Sequence, residues 1–216
     1  MRPVMLALVV VTLGASLTAV GCASQPSRFY LLSAMPDTET ASPATSGQQG
    51  LTIGIGQVTL PRYVDRPQIV TRTGPYEITL AEFDRWAEAL DTNFSRALAE
   101  NLSLLLPTAR VVMSPWPRAS PIDYQVVVDV THFLSQVGGE SLLIADWAIL
   151  KGEGQAVLTD GRSRFSTPPA GQDYAAVVAA MSQTVAGLSR EIAAAIRGTG
   201  AKVSTRPGGS AGGAAP

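Results

Sequence analysis

The stretch Ile122-Asp123-Tyr124-Gln125-Val126-Val127-Val128-Asp129-Val130 decides the fold class. Ile122, Tyr124, Val126, Val128 and Val130 alternate with Asp123, Gln125, Val127 and Asp129, the period of two that marks a strand with one buried face. Reading onward, Leu143, Ala145, Trp147 and Ile149 repeat the alternation. Lys151-Gly152-Glu153-Gly154 supplies a turn into a third strand, Gln155 to Phe165, within which Asp160-Gly161 reads as a bulge or a second turn. The period then changes to 3.6. From about Gln172 to Arg197, a helix carries Tyr174, Val177, Val178, Met181, Val185, Leu188, Ile192 and Ile196 on one stripe. Arg197 and Gly198 offer it a terminal cation and a C-cap glycine.

Reading back from the same stretch, an earlier helix places Leu90, Phe94, Ala97, Leu98, Asn101, Leu102 and Leu105 on one face, with Trp86 at its entry and Pro107 as its stop. Before it lie short strands at Tyr76 to Leu80, Gln68 to Arg72, Leu51 to Val58 and Ser27 to Leu32. This order predicts an α+β fold, a mixed β-sheet with two long helices packed on one face, in a single compact domain. Its core spans residues 51–198. Residues 22–33 hold an anchor and the first strand, 34–50 read as a flexible loop or linker, and 199–216 as a disordered tail.

Residues 1–21 read as a signal peptide: Arg2, then the apolar run Val4 to Val11, then small residues. The segment ends in Ala19-Val20-Gly21-Cys22, which resembles a bacterial lipobox, with Ala19 where that motif favours Leu. The alternative is an ordinary secretory signal that leaves Cys22 free. Cys22 is the only cysteine in the chain and stands where lipidation would use it. A diacylglycerol and an N-acyl chain on Cys22 would hold the protein at a membrane, since two or more chains anchor stably. Ala23 follows, where an inner-membrane retention signal usually has Asp, so the expected site is the outer membrane, facing the periplasm.

The 216 residues are 46% hydrophobic, with 16 Lys+Arg against 17 Asp+Glu, which gives no field suited to nucleic acid. One His and one Cys cannot build a zinc site of the usual ligand count. Gly54-Ile55-Gly56 lacks the third glycine and the following helix that a dinucleotide loop needs. His132 stands alone in a strand. Asp123 and Asp129 are six residues apart, about 20 Å along a strand, too far to act as an acid–base pair. The expectation is no enzyme, no metal and no cofactor beyond the covalent lipid.

One region is richer in unusual residues, Leu60-Pro61-Arg62-Tyr63-Val64-Asp65-Arg66-Pro67-Gln68-Ile69-Val70-Thr71-Arg72 with Arg85-Trp86-Ala87-Glu88. Read functionally, Tyr63, Asp65, Arg66, Arg85 and Trp86 form a partner-binding surface. Read structurally, Asp65 caps a turn, Arg66 or Arg85 pairs with Glu88, and Trp86 plugs the core. Together with the lipobox cysteine, Phe29-Tyr30-Leu31-Leu32, Pro115-Trp116 and Trp147, these blocks resemble the ABC-type transport auxiliary lipoproteins of the paraquat-inducible protein C type. The likeness covers about residues 22–197; Ala89 stands where the family often has proline. The resemblance implies a non-catalytic lipoprotein that works with a mammalian-cell-entry-domain protein and an ABC permease and ATPase. Such systems move lipids or other hydrophobic molecules between membranes and support envelope integrity. A homo-oligomer is compatible with this. The alternatives are a lipid carrier with a cavity between helices and sheet, and a structural lipoprotein that binds cell wall or an outer-membrane assembly factor.

Overall fold

The computed structural model describes residues 25–36, 50–116, 121–136, 138–154 and 156–204, with side chains through Thr199. Cys22, the signal segment, residues 37–49 of the linker and residues 205–216 of the tail lie outside the described residues. The elements are β1 (Arg28–Tyr30), β2 (Thr52–Thr59), β3 (Gln68–Arg72), β4 (Ile78–Trp86), α1 (Leu90–Leu105), β5 (Arg110–Met113), β6 (Tyr124–Gln136), β7 (Ser141–Lys151), β8 (Ala156–Thr167) and α2 (Tyr174–Ser204).

The deciding stretch becomes β6, the spine of a mixed eight-stranded sheet. On one side β6 runs antiparallel to β7 along its whole length, and β7 pairs with β8. On the other side the sheet forks. β2 runs parallel to the first half of β6, from Ile53 opposite Tyr124 to Thr59 opposite Asp129. The chain leaves the sheet at Pro61, which has no N–H to continue a ladder, and returns as β3, parallel to Ser135 and Gln136. β5 extends the first branch; β4 and then β1 extend the second. Tyr63 stands in the fork, its phenol oxygen bonded by the backbone N–H of Phe133.

Both helices cover one face of the sheet. Phe94, Leu98 and Leu102 of α1 and Val185, Leu188 and Ile192 of α2 pack with Ile53, Ile55, Val126, Phe133, Leu143 and Ile149 in one core. Phe94 meets Phe133 edge to face, with ring centroids 5.4 Å apart. Burying side chains of this size contributes about 1.5–3 kcal/mol each. The helices run parallel, because Asn101 bonds Ser189 and, further along both, Arg197 bonds the carbonyl of Leu105.

Several expectations shift at element ends. β4 continues through Trp86, where a helix entry was expected, and α1 begins at Leu90 with Ala89 as an N-cap that makes no side-chain hydrogen bond. α2 is capped by Asp173, whose carboxylate accepts the N–H of Ala176. It runs past Gly198 to Ser204, so the first residues of the expected tail are helical. Arg197 serves the carboxyl end of α1 rather than that of its own helix. Asp160-Gly161 is no turn but lies within β8, and Gly161 makes room for the Trp147 ring, which a Cβ there would approach to 2.8 Å.

Candidate functional site

β1 and the segment after it fasten the N-terminal part of the described chain to the sheet and to both helices. β1 is docked: it pairs in parallel with Asp84–Trp86, and the N–H of Ala87 bonds Tyr30 O. Arg28 pairs with the buried Asp84 at 2.8 Å, and the Tyr30 hydroxyl donates to the same carboxylate. Burial pushes the Tyr30 phenol up, and its bond to Asp84 adds to the shift. Residues 31–36 then lie across the seam between the helices. Leu32 N–H donates to Asn93 Oδ1 at 2.7 Å, Ser33 N–H to Ser182 Oγ at 3.1 Å and Met35 N–H to Asn101 Oδ1 at 2.8 Å. Leu32 and Met35 are buried. Met35, expected within the flexible loop or linker, is instead held by the core through both its side chain and its N–H.

Asn93 and Asn101 belong to the buried stripe of α1, where an amide is tolerated only if its hydrogen bonds are met. Asn101 Nδ2 donates to Ser189 Oγ at 3.1 Å, and Asn93 Nδ2 to Glu88 Oε1 at 3.0 Å. Glu88 in turn takes Arg96 at 2.7 Å, so it pairs with neither Arg66 nor Arg85. The Arg96 guanidinium holds the Glu88 carboxyl below its ordinary range, with burial pulling the other way. Asn101 was visible in the sequence only as a stripe position; a polar residue on an apolar stripe is the signal that could have marked this clasp.

The predicted partner residues are brought side by side. Residues 61–67 fold as a turn closed by backbone, with the N–H groups of Val64 and Asp65 both on the carbonyl of Pro61. The N–H of Trp86 bonds Pro67 O at 2.8 Å. Arg85 lies opposite Gln68 on one side and Phe29 on the other. Asp65 and Arg66 are exposed, and Arg85 and Tyr63 are half-buried. Burial pushes the Tyr63 phenol up, while the Phe133 N–H and the charge of Arg72 pull it down. Trp86 is only 5% exposed and sits in the core beneath the patch, which leaves it no surface to offer a partner. Phe29, at 65% exposure, takes its place as the exposed aromatic beside Arg85.

The remaining features are structural or open. Asp123 accepts the N–H of Thr52 at 2.8 Å, and Asp129 accepts the Thr59 hydroxyl. His132 is half-buried, and burial, Arg72 and Arg164 all hold its imidazole below the ordinary range. Gly54 accommodates the Trp116 ring. Among the described residues no group of three His, Cys, Asp or Glu side chains could hold a metal ion, and no helix is long and apolar enough to cross a membrane. The space between helices and sheet is filled by the core. An open cavity of about 1150 Å³ lies instead along α2, lined by Leu31, Met35, Phe165, Val178, Ala186 and Arg190 among others.

The sequence of this clasped, two-helix domain matches the family described as ABC-type transport auxiliary lipoprotein component over residues 30–193. The chain belongs to this family. It is 28% identical over 182 residues to the intermembrane transport lipoprotein PqiC of Escherichia coli K12, covering 82% of this chain and 94% of that protein. The PqiC of Shigella flexneri matches equally. Among solved structures, protein XCC0632 from Xanthomonas campestris shares the fold, with TM-score 0.66 and 19% identity over 83% of this chain and 100% of that one. The transport auxiliary lipoprotein family thus accounts for the fold, from β1 nearly to the end of α2.

Proposed function

We propose that this protein is a non-catalytic, lipid-anchored accessory of an ABC-type system that moves lipids or other hydrophobic molecules between membranes. Its partners in that reading are a mammalian-cell-entry-domain protein with its permease and ATPase. The observation that carries it is the family match across residues 30–193, together with relatives named as intermembrane transport lipoproteins. Acylation of Cys22 at the periplasmic face of the outer membrane completes it. The docked β1 supports mooring: from Cys22 to Arg28 there are only six residue steps, roughly 20 Å when fully extended. A domain held that closely meets a membrane-spanning partner at high effective concentration, so modest contacts suffice. The contact surface is Phe29, Arg85, Arg66 and Asp65, with Tyr63 and Trp86 shaping it from below. The test is crosslinking of the lipidated protein in its native membrane, followed by identification of partners. Recovery of a mammalian-cell-entry-domain protein supports the reading; recovery of cell wall or assembly factors alone overturns it in favour of a structural lipoprotein.

The cavity along α2 favours a second reading, in which the domain itself carries a lipid chain. Its lining combines Leu31, Met35, Val178 and Ala186 with the polar Ser182 and Gln183 and the charged Arg190 and Glu191. Lipid extracted from the purified full chain, and lost on Ala186→Trp, would support it.

A further inference from the structure

We propose that the tip of the β3–β4 hairpin is a second membrane contact, with Tyr76, Ile78 and Leu80 seated at the headgroup–acyl boundary of the bilayer that holds the anchor. This rests on the acylation of Cys22 proposed above.

Direction comes first. β1 is parallel to β4 with Arg28 opposite Asp84, so the chain before Arg28 enters from the side of β4 that leads back toward Ile78. Six residue steps separate Arg28 from Cys22, a reach of roughly 20 Å. The register of β4 shifts between Arg85 and Leu80, so Arg85 to Ile78 spans only the four steps from Gln68 to Arg72 in β3, roughly 13 Å. The tether is therefore long enough for the anchor to reach the level of the hairpin tip.

The tip has the matching surface. Gln68, Val70 and Arg72 alternate along β3, so their partners Arg85, Leu80 and Ile78 share one face of the sheet. Ile78 and Leu80 are each 42% exposed, and Tyr76 is fully exposed. Hairpin turns are ordinarily built from small and polar residues; here Thr73-Gly74-Pro75-Tyr76-Glu77 presents an aromatic with an apolar body and a polar end, the residue type enriched at membrane interfaces. Arg72, beside Ile78, has a buried Nε with no hydrogen-bond partner. Glu77 and Glu82 are exposed nearby, so attraction to anionic headgroups does not drive the contact. The apolar side chains do. Of the other exposed apolar side chains, Phe29 and Leu31 lie on and just after β1, and Val157 and Leu158 follow the β7–β8 turn beside Tyr124, at the opposite end of β6 from Arg72.

Because Cys22 is the chain's only cysteine, a thiol introduced into the acylated protein is the only one free to label. The full mature lipoprotein is prepared as Tyr76→Cys, Ile78→Cys and Val157→Cys, each carrying an environment-sensitive fluorophore. Each is reconstituted into vesicles of phosphatidylethanolamine and phosphatidylglycerol and then floated. The expected result is blue-shifted emission at 76 and 78, several-fold weaker quenching by aqueous iodide than at 157, and quenching by spin-labelled lipid only at the tip. Floated protein whose tip labels are as aqueous as that at 157 overturns the tip contact and leaves the anchor standing. Protection of the tip only after a partner protein is added assigns it to a protein interface and also overturns the proposal. Protein that does not float overturns the anchor and the tip contact together.

Discussion

Two polar regions flank the N-terminal segment, and they behave oppositely. The clasp of Asn93, Asn101, Ser182 and Ser189 is uncharged and buried. Asn93, Asn101 and Ser182 accept backbone N–H groups of residues 32–35, Asn101 also donates to Ser189, and Asn93 donates to Glu88. The turn at 61–67 carries Arg62, Asp65 and Arg66, closes on its own backbone, and leaves those charges in water. Burying a polar group without a partner is costly, so the clasp is under strict geometric demand, whereas the turn is under almost none. Neutral amides thus fix residues 32–35 against both helices, and solvated charges are left available for contact. Loosening the clasp would free the chain after β1 from the helices, whereas altering the turn would change only its exposed charges.

The largest effect expected follows from breaking the clasp at its centre. Asn101→Ala removes the acceptor for the Met35 N–H and the donor to Ser189 Oγ. Leaving a buried backbone donor unmet costs about 1–3 kcal/mol. With the lost packing of a fully buried side chain, the expected destabilisation is about 3 kcal/mol. Urea unfolding measures it, and limited proteolysis should open first near Met35. A loss below about 0.5 kcal/mol, the level of an ordinary surface substitution, would erase the distinction between the two regions.

How far the sequence carried the reading depended on whether an element has one wet and one dry face. β7, and β6 as far as Thr131, alternate cleanly because helices cover only one side of them, and the stripes of α1 and α2 show for the same reason. β4 does not: Ile78, Thr79 and Leu80 are all exposed and its buried positions begin only at Ala81, so Arg85-Trp86-Ala87-Glu88 looked like a helix entry. The end of α2 was hidden because Gly198 signals termination, yet it remains helical. The patch was partly legible. The alternation that buries Trp86 follows from Asp84 and Trp86 sharing a face, which becomes visible only once the strand is known. The clasp was nearly invisible, since its partners are backbone N–H groups 61 and 66 residues away.

A smaller effect sharpens the boundary between the regions. Glu88 stands between them, receiving Arg96 from the solvent side and Asn93 from the clasp. Its carboxyl is held below the ordinary range chiefly by Arg96. A depressed carboxyl contributes stability that is present above its unfolded pKa of about 4.3 and is lost as pH falls through the folded value. Glu88→Gln should therefore cost about 0.5 kcal/mol near neutrality, as exposed pairs do, and nothing once acid has protonated the wild-type group. Denaturation of both proteins at neutral and acidic pH measures the difference. Because glutamine keeps the oxygen that accepts from Asn93, a gap that persists in acid would show that the charge pair with Arg96 is not what the substitution removes.

Arg66 should move stability least. It is exposed, and the hydrogen bonds that close its turn are made by backbone. Truncating such a side chain typically changes stability by less than about 0.5 kcal/mol. If the turn is a contact surface, Arg66→Ala should nonetheless lower crosslinking yield to the membrane partner several-fold, because an arginine at an interface loses both charge and directed hydrogen bonds. Lysine would keep the charge without the planar fork. Partial recovery of crosslinking by Arg66→Lys therefore points to charge, and no recovery points to directed hydrogen bonding. A lowered melting temperature with crosslinking intact would place Arg66 with the clasp, as part of the scaffold, and would leave Phe29 and Arg85 to carry recognition.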